Sequence, residues 1–207
     1  MSVARGPLDV MSARGDVEPL APVLARAVDG DRAALEVLLR HVSPSVLRAL
    51  RSMLGTTDID DALQESLLAF VDALPGYRGE TNLRRYALRI GIRTALAARR
   101  RERARSGLFE RHVEATEPLV ASPSSPSDDL LNVRRREAFR MLLDELPENQ
   151  AEALALRVVF EYSLEEIAAV TGALVNTIRS RVRLAREALR ARIEADPELQ
   201  QLLEGAP

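Results

Sequence analysis

The sequence predicts an all-α protein of two small helical domains joined by a flexible linker, and three observations carry that expectation. Ala, Leu, Arg and Glu dominate and all favour helix, whereas aromatic residues make up 3% and Trp is absent. Apolar residues recur at three- and four-residue spacing through two long blocks. Between the blocks lies Ser122-Pro123-Ser124-Ser125-Pro126-Ser127, which breaks helix and reads as a linker. The length of 207 residues suits two domains of roughly 100 residues each.

Taken in order, residues 1–18 carry Gly, Pro and small polar residues without a period and read as a mobile tail. The first domain is expected over 19–105. Asp31 is a good N-cap for a helix carrying Leu35, Leu38, Leu39 and Val42. Ser43-Pro44 reads as the start of another helix, with Pro in its first turn, ending near Gly55. Thr56 or Thr57 can cap the next, which stops at Pro75-Gly76. Thr81 can cap a last long helix running into Arg99-Arg100-Arg101-Glu102-Arg103-Ala104-Arg105. Four helices with short connections suggest a compact bundle. The linker is expected over 106–132, a second helical domain over 133–193, and a short acidic tail over 194–207.

Composition narrows the chemistry. There is no Cys, and the only two His are His41 and His112, so neither a disulfide framework nor a Cys/His zinc site is available. The same scarcity removes the usual nucleophile and most general bases. No Gly-rich phosphate loop appears, and neither a cofactor nor a catalytic role is expected. No apolar run approaches the roughly 20 residues that span a bilayer, and the N-terminus lacks a signal-peptide core, so the expectation is a cytoplasmic protein without membrane insertion. Net charge is only −2, which does not announce a nucleic-acid partner. All 29 basic residues are Arg, a bias that a GC-rich genome produces through codon usage. Codon usage does not decide where the arginines cluster.

Three helices carry patterns that suggest partners. Over 58–74, Ile59, Leu63, Leu67, Phe70 and Leu74 form an apolar stripe, and Asp58, Asp61, Glu65 and Asp72 gather opposite it. That is either a solvated acidic face favoured by the helix dipole or a docking surface for a basic partner. After Thr81, Leu83, Tyr86, Ala87, Ile90 and Ala97 line one side and Leu88, Ile92 and Ala95 another, with Arg85, Arg89, Arg93 and Arg100 between them. Like charges at that spacing repel by a few tenths of a kcal/mol, roughly, per pair. Phosphate contact would turn the repulsion into binding; a merely solvated basic face is the other reading. In the second block, Ser163-Leu164-Glu165-Glu166 is a capping box opening a helix with Ile167, Ala168 and Val170 that breaks at Thr171-Gly172. A second helix follows with Val175, Ile178, Val182, Ala185 and Leu189 inward. Asn176, Arg179, Ser180, Arg183 and Arg186 lie on its other face. Ala168 for close crossing, Gly172 for the turn and Ile178 as anchor are what a helix-turn-helix requires, although a plain helical hairpin can share them.

The two blocks together resemble the extracytoplasmic-function group of the sigma-70 family. In the first block the resemblance rests on Gly30-Asp31-Arg32-Ala33-Ala34-Leu35, on Asp58-Ile59-Asp60-Asp61-Ala62-Leu63-Gln64-Glu65, and on Tyr77-Arg78-Gly79-Glu80 leading to Arg89-Ile90. In the second it rests on Leu146-Pro147-Glu148-Asn149-Gln150, Ser163 to Ala168, and Asn176-Thr177-Ile178-Arg179-Ser180-Arg181. It implies a region 2-like bundle and a region 4-like helix-turn-helix serving promoter recognition for RNA polymerase. Asp58, Asp60, Asp61, Gln64 and Glu65 would bind the coiled coil of the polymerase's largest subunit. Tyr77, Arg78 and Asn82 would hold a flipped base of the −10 element, and Arg85, Arg89 and Arg93 would track the strand backbone. Asn176, Thr177, Arg179, Ser180, Arg183 and Arg186 would meet the −35 element. The resemblance implies core RNA polymerase and promoter DNA as partners, and an anti-sigma factor as a further one. Tyr86 stands where the family often has Trp, Arg93 and Ala97 where it has Asn and Asp, and Thr171, Ala173 and Leu174 depart from its usual turn. The rival from residues alone is an autonomous helix-turn-helix regulator with an N-terminal dimerisation or sensing module.

Overall fold

The computed structural model describes residues 20–55, 58–79, 81–108 and 126–204, with side chains excluded at 106–108, 126–130 and 204, and every regular element among them is helical. The first, α1 (Ala21–Val28), leads through Asp29 and Gly30 into Asp31. Gly30 has φ +92°, a value that favours glycine. Asp31 caps α2 (Arg32–Leu54) as expected: its Oδ1 accepts the backbone N–H groups of Ala33 and Ala34 at 2.9 and 3.2 Å. Its other oxygen accepts from Arg26 Nε at 2.8 Å. The carboxyl is held below its ordinary pKa, first by Arg26 and then by the Ala34 amide.

The expected break at Ser43-Pro44 does not occur, and α2 runs through it. Pro44 is exposed, its ring on the solvent side, while Leu38, Val42, Val46, Ala49, Leu50 and Met53 are buried on one continuous stripe. That burial outweighs the lost backbone bond, and α1 supplies the fourth helix of the bundle instead. Thr56 and Thr57 lie outside the described residues. Asp58 precedes α3 (Ile59–Ala73) in a left-handed conformation without a side-chain cap. After a short 3₁₀ turn at Leu74–Gly76 comes α4 (Leu83–Leu108). Its cap is Asn82 rather than Thr81: Asn82 Oδ1 accepts the Arg84 N–H at 2.8 Å. Against α2, Gly91 permits a close crossing, since a Cβ there would lie 3.1 Å from Ala49 Cβ. Ala97, expected on an apolar side of α4, is exposed.

The second block begins earlier than expected, because α5 (Pro126–Asp144) starts inside the presumed linker. It continues through α6 (Glu148–Val158), α7 (Leu164–Thr171) and α8 (Val175–Glu194). The acidic tail is corrected to a further helix, α9 (Pro197–Glu204), packed on α5 and α8. Asp196 Oδ1 accepts the Leu199 N–H at 3.2 Å, Pro197 fills the first position, and Arg135 Nε donates to the Leu202 carbonyl at 2.9 Å. The tail over 1–18, residues 109–125 of the linker and His112 lie outside the described residues.

The blocks pack on one another. Beside its own bundle, α4 touches α5, α6 and α7. Arg140 Nε, from α5, donates to the Ser52 carbonyl at the end of α2 at 2.9 Å, where a helix terminus leaves carbonyls unpaired.

Candidate nucleic-acid interface

The helix-turn-helix forms as the residues require. Ser163 Oγ accepts the Glu166 N–H at 3.1 Å, and Glu166 Oε2 accepts the Ser163 N–H at 2.8 Å, closing both halves of the capping box. Gly172 takes the turn at φ +68°, Ala168 is buried at the crossing, and Ile178 is fully buried beneath α8. Anchoring Ile178, Val182 and Ala185 inward turns Asn176, Arg179, Ser180, Arg183 and Arg186 outward, and all five are exposed; Thr177 is half-buried. Their contacts are short-range: Arg179 Nη1 donates to Asn176 Oδ1 at 2.7 Å, and Arg183 pairs with Glu187 at 2.6 Å. These are donors and acceptors of the kind that read base edges and phosphates in a major groove.

The turn before α4 carries a second cluster. The Tyr77 and Tyr86 rings lie 5.1 Å apart, and Tyr86 meets Phe70 edge-on at 6.5 Å. Tyr77 OH donates to the Thr81 carbonyl, Tyr86 OH to the Ala73 carbonyl at 3.3 Å, and Gly79 takes φ +73°. Arg78 is exposed, but Asn82 is buried and engaged in capping α4. Tyr77, Arg78, Tyr86 and Arg89 share one cleft with Thr171 and Gly172 of the helix-turn-helix.

The strip on α4 is not the unpaired basic strip that the sequence suggests. Arg85 pairs with Glu166 at 2.6 Å, Arg89 with Glu152 at 2.7 Å, and Arg93 and Arg100 with Glu148 at 3.1 and 3.0 Å. All of these carboxylates come from the second block, so the like-charge repulsion along α4 is relieved from across the molecule. Arg85 also lies over the Tyr162 ring at 5.0 Å. Burial raises the Tyr162 phenol above its ordinary pKa, against the opposing charges of Arg85 and Arg48.

Asp58, just before α3, and Asp60, Asp61, Gln64 and Glu65 on it are all exposed. Glu65 meets Arg101 at 2.8 Å. Asp60 and Gln64 border a groove lined by Leu39, Leu63, Leu67, Leu68 and Val71, in which Leu68 is 60% exposed. The buried line of α3 is Ala62, Ser66 and Phe70, so Leu63 and Leu67 sit at its edge rather than its centre. An acidic rim beside an open apolar groove suits a basic, amphipathic partner. Among the described residues no group of three or more His, Cys, Asp or Glu could hold a metal ion.

Residues 38–105 match the family description "Sigma-70 region 2" and residues 134–189 match "Sigma-70, region 4". The chain is 34% identical over 170 residues to "ECF RNA polymerase sigma factor SigD" of Mycobacterium bovis (strain ATCC BAA-935 / AF2122/97), covering 78% of each. The chain belongs to the ECF RNA polymerase sigma factors. It is also 28% identical over 177 residues to "ECF RNA polymerase sigma-E factor" of Escherichia coli (strain K12), covering 83% of this chain and 93% of that protein. Among solved structures, the sigma factor RpoE bound to NepR from Bartonella quintana matches at 25% identity and TM-score 0.47, over 76% of this chain and 95% of that one. The structure of CnrH with the cytosolic domain of CnrY matches at 24% identity and TM-score 0.48, over 84% and 97%.

For an ECF sigma factor, a transcription initiation factor, the residues that sequence reasoning missed are the acids facing α4. In the sequence Glu148 enters only as part of the Leu146–Gln150 motif and Glu166 only as the closing residue of the Ser163 capping box, and neither points to α4. Of Glu148, Glu152 and Glu166, only Glu152 carried a signal of an inward-facing partner, a charge inside Ala151-Glu152-Ala153-Leu154-Ala155-Leu156, where every neighbour is buried. No helix among the described residues is long and apolar enough to cross a membrane.

Proposed function

We propose that the chain acts in the cytoplasm, without catalytic chemistry of its own, through three separate surfaces. The acidic rim of α3 (Asp58, Asp60, Asp61, Gln64 and Glu65) docks core RNA polymerase, with the apolar groove beside it receiving the partner's apolar side chains. The turn holding Tyr77 and Arg78 and the arginines of α4 take the −10 strand. Asn176, Thr177, Arg179, Ser180, Arg183 and Arg186 take the −35 element. Asn82 positions α4 as its cap instead of reaching a base. Residues 19–105 and 133–193 serve as the two working units, with α5 reaching back into the segment that joins them.

The observation that supports this reading most is the outward polar face of α8 on a helix fixed by the fully buried Ile178. Each contact of that kind contributes about 1–3 kcal/mol, too little for a small domain to find a promoter alone. Two readers carried on one polymerase raise each other's effective concentration, which supplies the missing selectivity.

The test is Asp61→Arg. Asp61 is exposed and far from the core, so circular dichroism stays unchanged while co-purification with core polymerase is lost. Retained co-purification would remove α3 from the docking surface.

A further inference from the structure

Resting on the −35 reading above, we infer that Leu174 and Leu184 are specificity-determining residues that read thymine C5-methyl groups in the −35 element. Across the helix-turn-helix, residues 163–194, they alone are exposed large hydrophobic residues, at 79% and 42%. Neither is placed where it would stabilise the fold. Leu184 lies off the buried line of Ile178, Val182 and Ala185. It follows Arg183 and stands one turn on from Ser180, which puts it on the outward polar side of α8. Its neighbours at three- and four-residue spacing are Ser180, Arg181, Glu187 and Ala188, none of them a large apolar side chain to cluster with.

Leu174 forgoes stability in a second way. It is the N-cap residue of α8, in extended backbone at φ −67° and ψ 144°, and it makes no side-chain cap hydrogen bond. Ser, Thr, Asn or Asp at that position would satisfy one of the first N–H groups of the helix. Ser163 does this for α7, so the same motif uses a cap at one helix and goes without at the next. With most of its surface in water, Leu174 gains no burial in exchange.

What such side chains can touch follows from the face they share. Asn176, Arg179, Ser180 and Arg183 suit a helix lying in a major groove with its N-terminal end toward the bases. Base edges in that groove offer ring-nitrogen and carbonyl acceptors and amino donors, and the thymine methyl is the apolar group among them. A leucine over that methyl removes apolar surface of both from water. Over guanine, cytosine or adenine it strips water from a donor or acceptor and returns no hydrogen bond, so it also rejects those bases. The leucines thereby express a preference that the arginines beside them cannot. From Leu174 to Leu184 is about 15 Å of helix. The two methyls, on either strand, therefore lie within about five base pairs at roughly 3.4 Å per step.

The experiment uses holoenzyme reconstituted from the full chain and core polymerase. Selection from a duplex DNA pool of random sequence defines the preferred elements, and the one whose preference Arg179→Ala erases is the −35 element. Each thymine in it is then replaced by deoxyuridine, which removes the methyl and leaves the pairing edge unchanged, and binding is followed by fluorescence anisotropy. For wild-type holoenzyme, two of these replacements should each weaken binding about fourfold, the loss that goes with one methyl left unburied. Leu174→Ala should bind the thymine duplex as weakly as wild type binds one uracil duplex, and be indifferent to that replacement. Leu184→Ala should do the same at the other position. Both leucines are exposed, so the melting temperature of each variant stays at the wild-type value. An element without thymine, replacements that leave wild-type affinity unchanged, or equal losses in wild type and variants overturn the inference and leave the −35 reading intact. Coupling at one leucine alone overturns the role of the other. If Arg179→Ala erases no preference at any position, the −35 reading fails and takes this inference with it.

Discussion

Two helices of this molecule, α4 and α8, carry arginines at four-residue spacing on one face, and the rest of the chain treats them in opposite ways. On α4, Arg85 and Arg89 keep only 23% and 20% of their side chains exposed, and their acids come from the second block. On α8, Arg183 keeps 61% exposed, and its partner is Glu187 one turn along the same helix. An ion pair within one helix leaves the face open to solvent and is readily exchanged for a phosphate. An ion pair between blocks holds two bodies together. Arginine spacing alone therefore does not say whether a basic strip is displayed or covered; that depends on where the matching carboxylates lie in the chain.

The contrast predicts unequal responses to the same substitution. Arg89→Ala strands the carboxylate of Glu152, which is 4% exposed, a loss of about 3 kcal/mol were the blocks to stay docked. Undocking caps that loss by hydrating Glu152. Calorimetry should therefore show unfolding split into two transitions, one per block, where the wild type shows one. A single unshifted transition would show that Arg89 and Glu152 do not hold the blocks. Arg183→Ala, by comparison, should leave the thermal profile where it is.

A second difference lies beneath the arginines. Gly91 lets α4 lie against Ala49 and the Val46 carbonyl of α2, so Gly91→Val should overpack the crossing and cost about 2 kcal/mol in urea titration. Unaltered stability would mean that the crossing yields to the extra methyls. The face of α8 should answer in the other measurement. Arg179→Ala should weaken −35 recognition by reconstituted holoenzyme about tenfold at unchanged melting temperature. Equal promoter affinity would misplace the recognition face.

What was legible beforehand follows the same division. Features set by neighbours in sequence could be read directly: the Asp31 cap, the Ser163–Glu166 box, the Gly172 turn, and the burial of Ile178, Val182 and Ala185. Features set by distant packing could not. Pro44 looks like a helix start because its own chemistry favours one, and only the buried stripe from Leu38 to Met53 shows why α2 passes through it. Asn82 displaced Thr81 as a cap because the helix begins one residue later than expected. The helix α9 was readable from Asp196-Pro197 with Leu199, Leu202 and Leu203, but its length of 8 residues stands only by packing on α5 and α8. The pairing of Glu148, Glu152 and Glu166 with α4 joins residues some 50 to 80 positions apart, and no local pattern announces it.

The smallest expected effect tests the comparison most directly. Double-mutant cycles to Ala on Arg183–Glu187 and on Arg89–Glu152 put both pairs on one scale. Both Arg183 and Glu187 are more than half exposed, so their coupling should be about 0.4 kcal/mol and should fade as salt rises, because solvent screens both charges. Arg89 and Glu152 sit largely out of water, where the attraction is less screened and each charge depends on the other, so their coupling should exceed about 1 kcal/mol and persist in salt. Unfolding free energies from denaturant titration at two salt concentrations supply both cycles. If the two couplings prove equal, burial is not what distinguishes the helices, and the junction between the blocks is then held by the aromatic contacts of Phe160 with Arg48 and of Tyr162 with Arg85 and by the Arg140 bond to the end of α2 rather than by the strip.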